Sequence, residues 1–285
     1  MEIKCKICPN MCDTVRNGRS GVCRLPADIQ ISHTMLHKWE EPVISGTKGS
    51  GAVFFTGCTL KCVFCQNYKI SRSNEGKTYT PAELADLFRR IEDEGAHNVN
   101  LVSGTPFIPD IAEALEIYKP RIPVVWNSSG YELPCSLKML EGKVDVYLPD
   151  FKYSDDRLAL KLSGARSYLS AATAAISEMI RQVPSVEITD GLIKRGVIVR
   201  HLVLPSHLYN SIGVVRIFSE RFKENAMFSL MAQYTPFNTS GYPEIDRPLK
   251  PLEYKKVLAE ARKLGITEGY LQDISSTGER FVPEF

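Results

Sequence analysis

Cys58, Cys62 and Cys65 stand at C-x3-C-x2-C, with Phe64 just before the third cysteine and the apolar run Ala52-Val53-Phe54-Phe55 before Gly57. Gaps of three and two residues let one short loop wrap its thiolates around a single metal centre. Thiolate is the ligand that iron–sulfur clusters and zinc both select. Three ligands rather than four is the informative count. A closed structural zinc site takes four, whereas a cluster with one unligated iron keeps a position open for chemistry. A zinc clip or three buried thiols are the competing readings of so short a pattern.

A second group, Cys5, Cys8, Cys12 and Cys23, forms C-x2-C-x3-C-x10-C, and Gly18 and Gly21 allow a tight path back to Cys23. Four cysteines in so short a stretch can close a complete site, either structural zinc or a second, fully ligated cluster. The spacing does not separate the two metals. Seven of the eight cysteines lie in the first 65 residues, which concentrates metal chemistry at one end where a disulfide scaffold would spread them. His33 and His37 would share a face on a helix. The alternation of Ile29, Ile31 and His33 suggests a strand instead, and Pro42 is expected to stop any helix. Packing or hydrogen-bonded histidines are the expectation there. Cys135, alone, is read as a packing residue.

Composition narrows the field. The chain has 285 residues, 44% of them hydrophobic, and a formal net charge of +2. That is enough chain for one large α/β domain or two ordinary ones. With no long basic run, a nucleic-acid partner is not expected. The start has no apolar leader, and no apolar run approaches the roughly 20 residues of a membrane span. A cytoplasmic protein with no membrane partner is expected, in which thiols serve metals rather than disulfides.

C-x3-C-x-Phe-C after a strand ending in glycine resembles the cluster-binding loop of the radical S-adenosylmethionine (SAM) superfamily. The resemblance implies a [4Fe–4S] cluster on Cys58, Cys62 and Cys65, with SAM chelating the fourth iron. It also implies reductive cleavage of SAM to a 5′-deoxyadenosyl radical that abstracts hydrogen from a substrate. The Cys-rich head, His37-Lys38-Trp39-Glu40-Glu41-Pro42, the Gly/Ser turn and the loop ending Cys65-Gln66-Asn67 are together similar to proteins related to pyruvate formate-lyase activating enzymes. That similarity covers most of the chain and is most specific from His37 to Ser71. It implies a glycine in a partner glycyl-radical protein as substrate, and flavodoxin or ferredoxin as electron donor. A radical SAM enzyme acting on a small molecule or another peptide is the alternative. A zinc-stabilised adaptor without turnover is the alternative from another class.

The elements that must position these residues alternate. Strands are expected at Val53, Asn98 to Val102, Pro123 to Trp126, Val144 to Leu148, Val197 to Leu204 and Met227 to Ala232, with a short one around Tyr270 to Gln272. Helices are expected after Thr80, over Pro109 to Tyr118, Ser136 to Leu140, Ala165 to Gln182 and Ile212 to Phe222, and around Tyr254 to Ala261. Six strand–helix pairs predict an α/β fold, a partial or open (β/α)6 TIM-like barrel over 51–285, with a Cys-rich metal-binding extension over 1–50.

Function on such a barrel sits at the C-terminal strand ends. After strand two come Ser103, Gly104 and Thr105, where the resembling family has Gly-Gly-Glu-Pro on the SAM amino group; Thr105 stands in place of the glutamate. After strand three comes Asn127, where the activating enzymes tend to have an acid. Asp150 and Lys152, after strand four, match their Asp-x-Lys and point the same way on extended chain. They would serve SAM's ammonium and carboxylate. Arg200, inside an apolar strand, needs a carboxylate partner, from SAM, substrate or the protein itself. Gln233 and Tyr234 at strand six and Phe64 beside Cys65 are expected at the adenosine, and His207 near substrate.

Overall fold

The computed structural model describes residues 4–271 apart from 19, 74 and 268. The described residues before 29 form a looped head with two isolated bridges, Lys4 to Val15 and Asn17 to Pro26. β1 (Ile29–His37) follows, then α1 (Pro42–Ser45) and β2 (Ser50–Phe55). Pro42 opens α1 rather than barring it, because the first helical position has a spare N–H that proline can lack. α2 (Tyr68–Arg72), β3 (Lys77–Tyr79) and α3 (Pro81–Asp93) come next. Thr80 and Glu83 cap α3 reciprocally.

Strand and helix then alternate through β4 (Val99–Val102), α4 (Ile108–Ile117), β5 (Val124–Ser128), α5 (Pro134–Leu137) and β6 (Val146–Pro149). α6 (Asp156–Ser163) and α7 (Tyr168–Gln182) precede a hairpin of β7 (Glu187–Thr189) and β8 (Leu192–Leu202). α8 (Leu208–Arg221), β9 (Met227–Met231), α9 (Pro251–Lys263) and β10 (Gly269–Leu271) complete the described chain. Gln272, expected in the last strand, lies outside the described residues.

The sheet runs β10-β9-β8-β6-β5-β4-β2-β1-β3. Neighbours from β2 to β10 are parallel, and β1 is antiparallel to both β2 and β3. This is the mostly parallel sheet of a partial barrel. The expected division at residue 50 falls within the sheet, since β1 on one side of it pairs with β2 on the other.

Strand residues alternate between two apolar surfaces. Trp126, Tyr147, Val199 and Phe228 pack under the helices. Val125, Val146, Leu148, Ile198 and Met227 face the barrel interior, where Val43 and Ile44 of α1 join them. α1 thus fills one end of the interior. Arg200 is two residues beyond Ile198, so the pleat turns it inward too.

Two elements differ from the expected map. α6 was not anticipated, and α7 starts at Tyr168 instead of Ala165, because Gly164 ends α6 in the left-handed region at φ 65°. Asp155 caps α6 by accepting from Arg157 N at 2.8 Å. β8 begins five residues earlier than expected. Asp190 and Gly191 both hold positive φ, the turn that a two-residue hairpin favours.

Candidate active site

The three-cysteine loop leaves β2 through Gly57, whose φ is 75° and where a Cβ would meet Leu25 of the head at 2.8 Å. Both facts require glycine. The loop is tied to α6 by Lys61 N to Ser163 O and Val63 N to Leu162 O, each 2.9 Å. The head holds it from the other side, with Asn10 Nδ2 donating to Thr59 O at 2.7 Å.

Each sulfur has a donor or hydroxyl beside it. Ser163 Oγ donates to Cys62 Sγ at 2.9 Å, Leu60 N to Cys58 Sγ at 3.4 Å, and Cys65 Sγ lies 3.3 Å from Ser71 Oγ. Burial, reinforced by Cys62, pushes the Cys58 thiol up to about 12, and burial raises Cys62 as well. Such thiols ionise when a metal displaces the proton. Among the described residues no three His, Cys, Asp or Glu side chains converge on one ion. A cluster asks less, because it spreads its thiolates over separate irons.

Cys58, Cys62 and Cys65 open on one cavity of about 220 Å³ at the C-terminal strand ends. A charge network crosses it, centred on Arg200. Its Nε donates to Asp150 Oδ1 and its Nη1 to Glu40 Oε2, both at 3.0 Å, and its Nη2 donates to Asn127 Oδ1 at 2.6 Å. Asn127 Nδ2 in turn donates to Glu40 Oε1 at 2.9 Å. Lys152 Nζ pairs with Asp150 Oδ2 at 2.5 Å. Burial alone would raise the Asp150 carboxyl. The Lys152 ammonium and the Arg200 guanidinium outweigh it and hold the group below the usual carboxylate range. Gly130 lets the loop after β5 pass close to the Asp150 backbone, since a Cβ there would sit 2.3 Å from Asp150 O.

Of the residues expected from the sequence, Phe64, Ser103, Asn127, Asp150, Lys152, Arg200 and Gln233 line this cavity with the three cysteines. Gly104, Thr105 and Tyr234 do not. The positive φ after β4 falls on Ser103, and this turns Gly104 against Ile111 and Trp126 of the outer core. Thr105 is buried and donates to Glu132 Oε1 at 2.9 Å, while Tyr234 donates to Ile245 O at 2.8 Å. His207 borders a separate surface depression with Lys161 and Tyr209. Arg200 meets protein carboxylates, one of the two partners expected. Glu40 was missed, together with Trp39 and His37 beside it. Its signal was the acidic pair before Pro42, read as part of a resemblance and not as a wall of the site. His33 and His37 lie on a strand, which removes the helical pairing.

In the head, Cys8 is buried and Cys5, Cys12 and Cys23 are half-buried. Burial pushes the Cys8 thiol up to about 12. Cys12 Sγ accepts from Val22 N at 3.4 Å.

The family model described as "Radical SAM superfamily" matches residues 52–194, half of the chain, and spans the loop and the strand ends through β6. The chain belongs to the radical SAM superfamily. Membership implies a [4Fe–4S] cluster and SAM, and the donor set of the loop suits that cluster. An uncharacterized protein of Methanocaldococcus jannaschii is 34% identical over 92% of this chain and 75% of its own length. Among solved structures, methylornithine synthase superposes with a TM-score of 0.53 at 18% identity, over 75% of this chain and 62% of that one. SuiB of Streptococcus suis gives 0.52 at 15%, over 76% and 47%. TYW1 with a lysine-pyruvate adduct bound gives 0.51 at 13%, over 84% and 85%. These likenesses show the fold that the chain shares with them. This chain spans less than two thirds of methylornithine synthase and of SuiB. No helix among the described residues is long and apolar enough to cross a membrane.

Proposed function

We propose that Cys58, Cys62 and Cys65 hold the cluster, that SAM occupies the cavity they share, and that the hydrogen removed belongs to a glycine of a partner glycyl-radical protein. One observation carries the site: the three sulfurs and the Arg200-centred charge network border the same cavity. When bound, the cluster and SAM together supply hydrogen-atom abstraction by a 5′-deoxyadenosyl radical. This chain's part is to bind and aim. Lys152 and Arg200 offer cations to a carboxylate, and Asp150 and Glu40 offer anions to an ammonium, so the wall suits a zwitterion. Phe64 and Gln233 border the side next to Cys65, where a nucleoside would lie. A half-buried, pre-paired wall needs little reorganisation when its ligand enters.

The glycyl substrate rests on the resemblance of the head and of the His37 to Ser71 stretch. Flavodoxin or ferredoxin is the reductant in the same reading. Cys5, Cys8, Cys12 and Cys23 hold a second metal, zinc or iron–sulfur, in the 1–50 segment. Burial of Cys8 and the docking of Asn10 on the loop support a structural role for it. A reducing, cytoplasmic setting accords with eight free thiols.

Anaerobic reconstitution of the wild type and Cys58→Ala tests the site, with iron counting and 5′-deoxyadenosine release as readouts. The wild type is expected to be brown and to cleave SAM, and Cys58→Ala to lose both the loop's iron and the cleavage. Colourless wild type binding only zinc would sink the reading. Transfer of deuterium from a labelled partner glycine supports the glycyl substrate, whereas transfer from a metabolite or another peptide alone removes it.

A further inference from the structure

A second depression, of about 480 Å³, borders the three-cysteine loop and shares no lining residue with the cavity. Its wall is Gly21, Val22, Cys23, Arg24, Lys61 and Arg72. Three are cations and none is an acid. Among the described residues, none of the three is ion-paired with a carboxylate.

The placement is specific. Lys61 lies between Cys58 and Cys62, and Arg72 Nη2 donates to the Cys62 carbonyl at 3.1 Å. Arg72 Nε is buried without an acceptor. Arg24 holds φ 58°, a left-handed conformation that a non-glycine residue rarely adopts. Val22 adds an apolar spot, 38% exposed.

We propose that this depression docks an acidic one-electron carrier protein, the reductant of the cluster on Cys58, Cys62 and Cys65; the inference rests on that cluster reading. One electron passes from the carrier's reduced centre to the cluster, and the carrier leaves oxidised by one electron. Through Arg72 the depression reaches the backbone of Cys62 while leaving the SAM cavity open. Small, charge-steered interfaces typify transient redox complexes, whose on-rates fall with salt.

The test uses the reconstituted full chain and photoreduced flavodoxin, an acidic flavoprotein, with cluster bleaching followed by stopped flow. Arg24→Glu should lower the second-order rate about tenfold or more at low salt, and Arg72→Gln should lower it less. The wild-type rate should fall as salt rises. Reduction by the methyl viologen radical cation should not slow in Arg24→Glu, which separates docking from folding and from cluster potential. Equal flavodoxin rates in wild type and Arg24→Glu would overturn the proposal. So would equal slowing with both reductants, or saturable binding of inorganic phosphate with no flavodoxin binding. Wild type without a cluster would remove the underlying reading as well, and iron counting tells the two failures apart.

Discussion

Ser163, the last residue of α6, donates its hydroxyl to Cys62 across 2.9 Å, and the Tyr153 hydroxyl lies 2.6 Å from the same oxygen. A helix end thus reaches the sulfur of a candidate cluster ligand. Hydrogen bonds to cluster sulfurs stabilise the more negative, reduced state. Ser163→Ala is therefore expected to lower the cluster's reduction potential, read by an EPR-monitored redox titration. It should also cost about 1–2 kcal/mol in urea unfolding, because Tyr153 loses a buried partner. A potential equal to wild type would mean that this bond does not persist in the loaded protein.

Among the described residues, Arg200 is the one cation ion-paired with Glu40 and one of two paired with Asp150. Arg200→Met leaves Glu40, whose side chain is 12% exposed, uncompensated. A loss of about 3–5 kcal/mol in unfolding free energy is expected. Adding Glu40→Gln should restore part of it, since the uncompensated charge goes. No recovery in the double variant would refute the coupling.

His201 should give the chain an acid limb. Its Nδ1 lies 2.7 Å from the Phe151 carbonyl, which only accepts, so Nδ1 carries the proton and Nε2 accepts from Ser211 at 2.9 Å. Burial depresses the imidazole from 6.5 to about 4. Between those values the unfolded chain binds more protons than the folded one. The stability held by the neutral ring is complete above pH 6.5 and is lost as pH falls toward 4, about 3 kcal/mol in all. Urea midpoints of wild type should show that limb. In His201→Gln its slope should flatten, and an unchanged slope would assign it to other groups.

Thr105 gives a contrast. Its hydroxyl serves Glu132, which also accepts from Trp126 Nε1 at 2.8 Å and Ser128 Oγ at 2.7 Å. Burial raises that carboxyl. Thr105→Val should cost about 1–2 kcal/mol of stability and leave SAM affinity unchanged in equilibrium dialysis. Weakened SAM binding would return Thr105 to the cavity wall.

Much of the site was readable because its parts are local. The spacing of Cys58, Cys62 and Cys65, the Asp150-x-Lys152 step and the alternation that turns Arg200 inward each need only a loop or a strand period. The helix cap at Thr80 and the apolar runs from Val99 to Met231 are equally local, and the six-pair map followed from them. α6 and the β7–β8 hairpin were missed although their signals, Asp155 with Gly164 and Asp190-Gly191, were present. Neither α6 nor β7 with the first five residues of β8 has an apolar run strong enough to stand out.

Residue types and spacing sufficed for the α/β class, the thiolate loop and the cavity-lining positions from Ser103 to Gln233 named above, since short-range geometry dictates these. Long-range contact decided the remainder. Glu40 reaches Arg200 across 160 positions of sequence, Asn10 grips Thr59, and Thr105 turns from the cavity because Ser103 takes the left-handed bend and Glu132 waits beneath. A carboxylate's partner depends on which strands the barrel brings alongside it, and no local period encodes that.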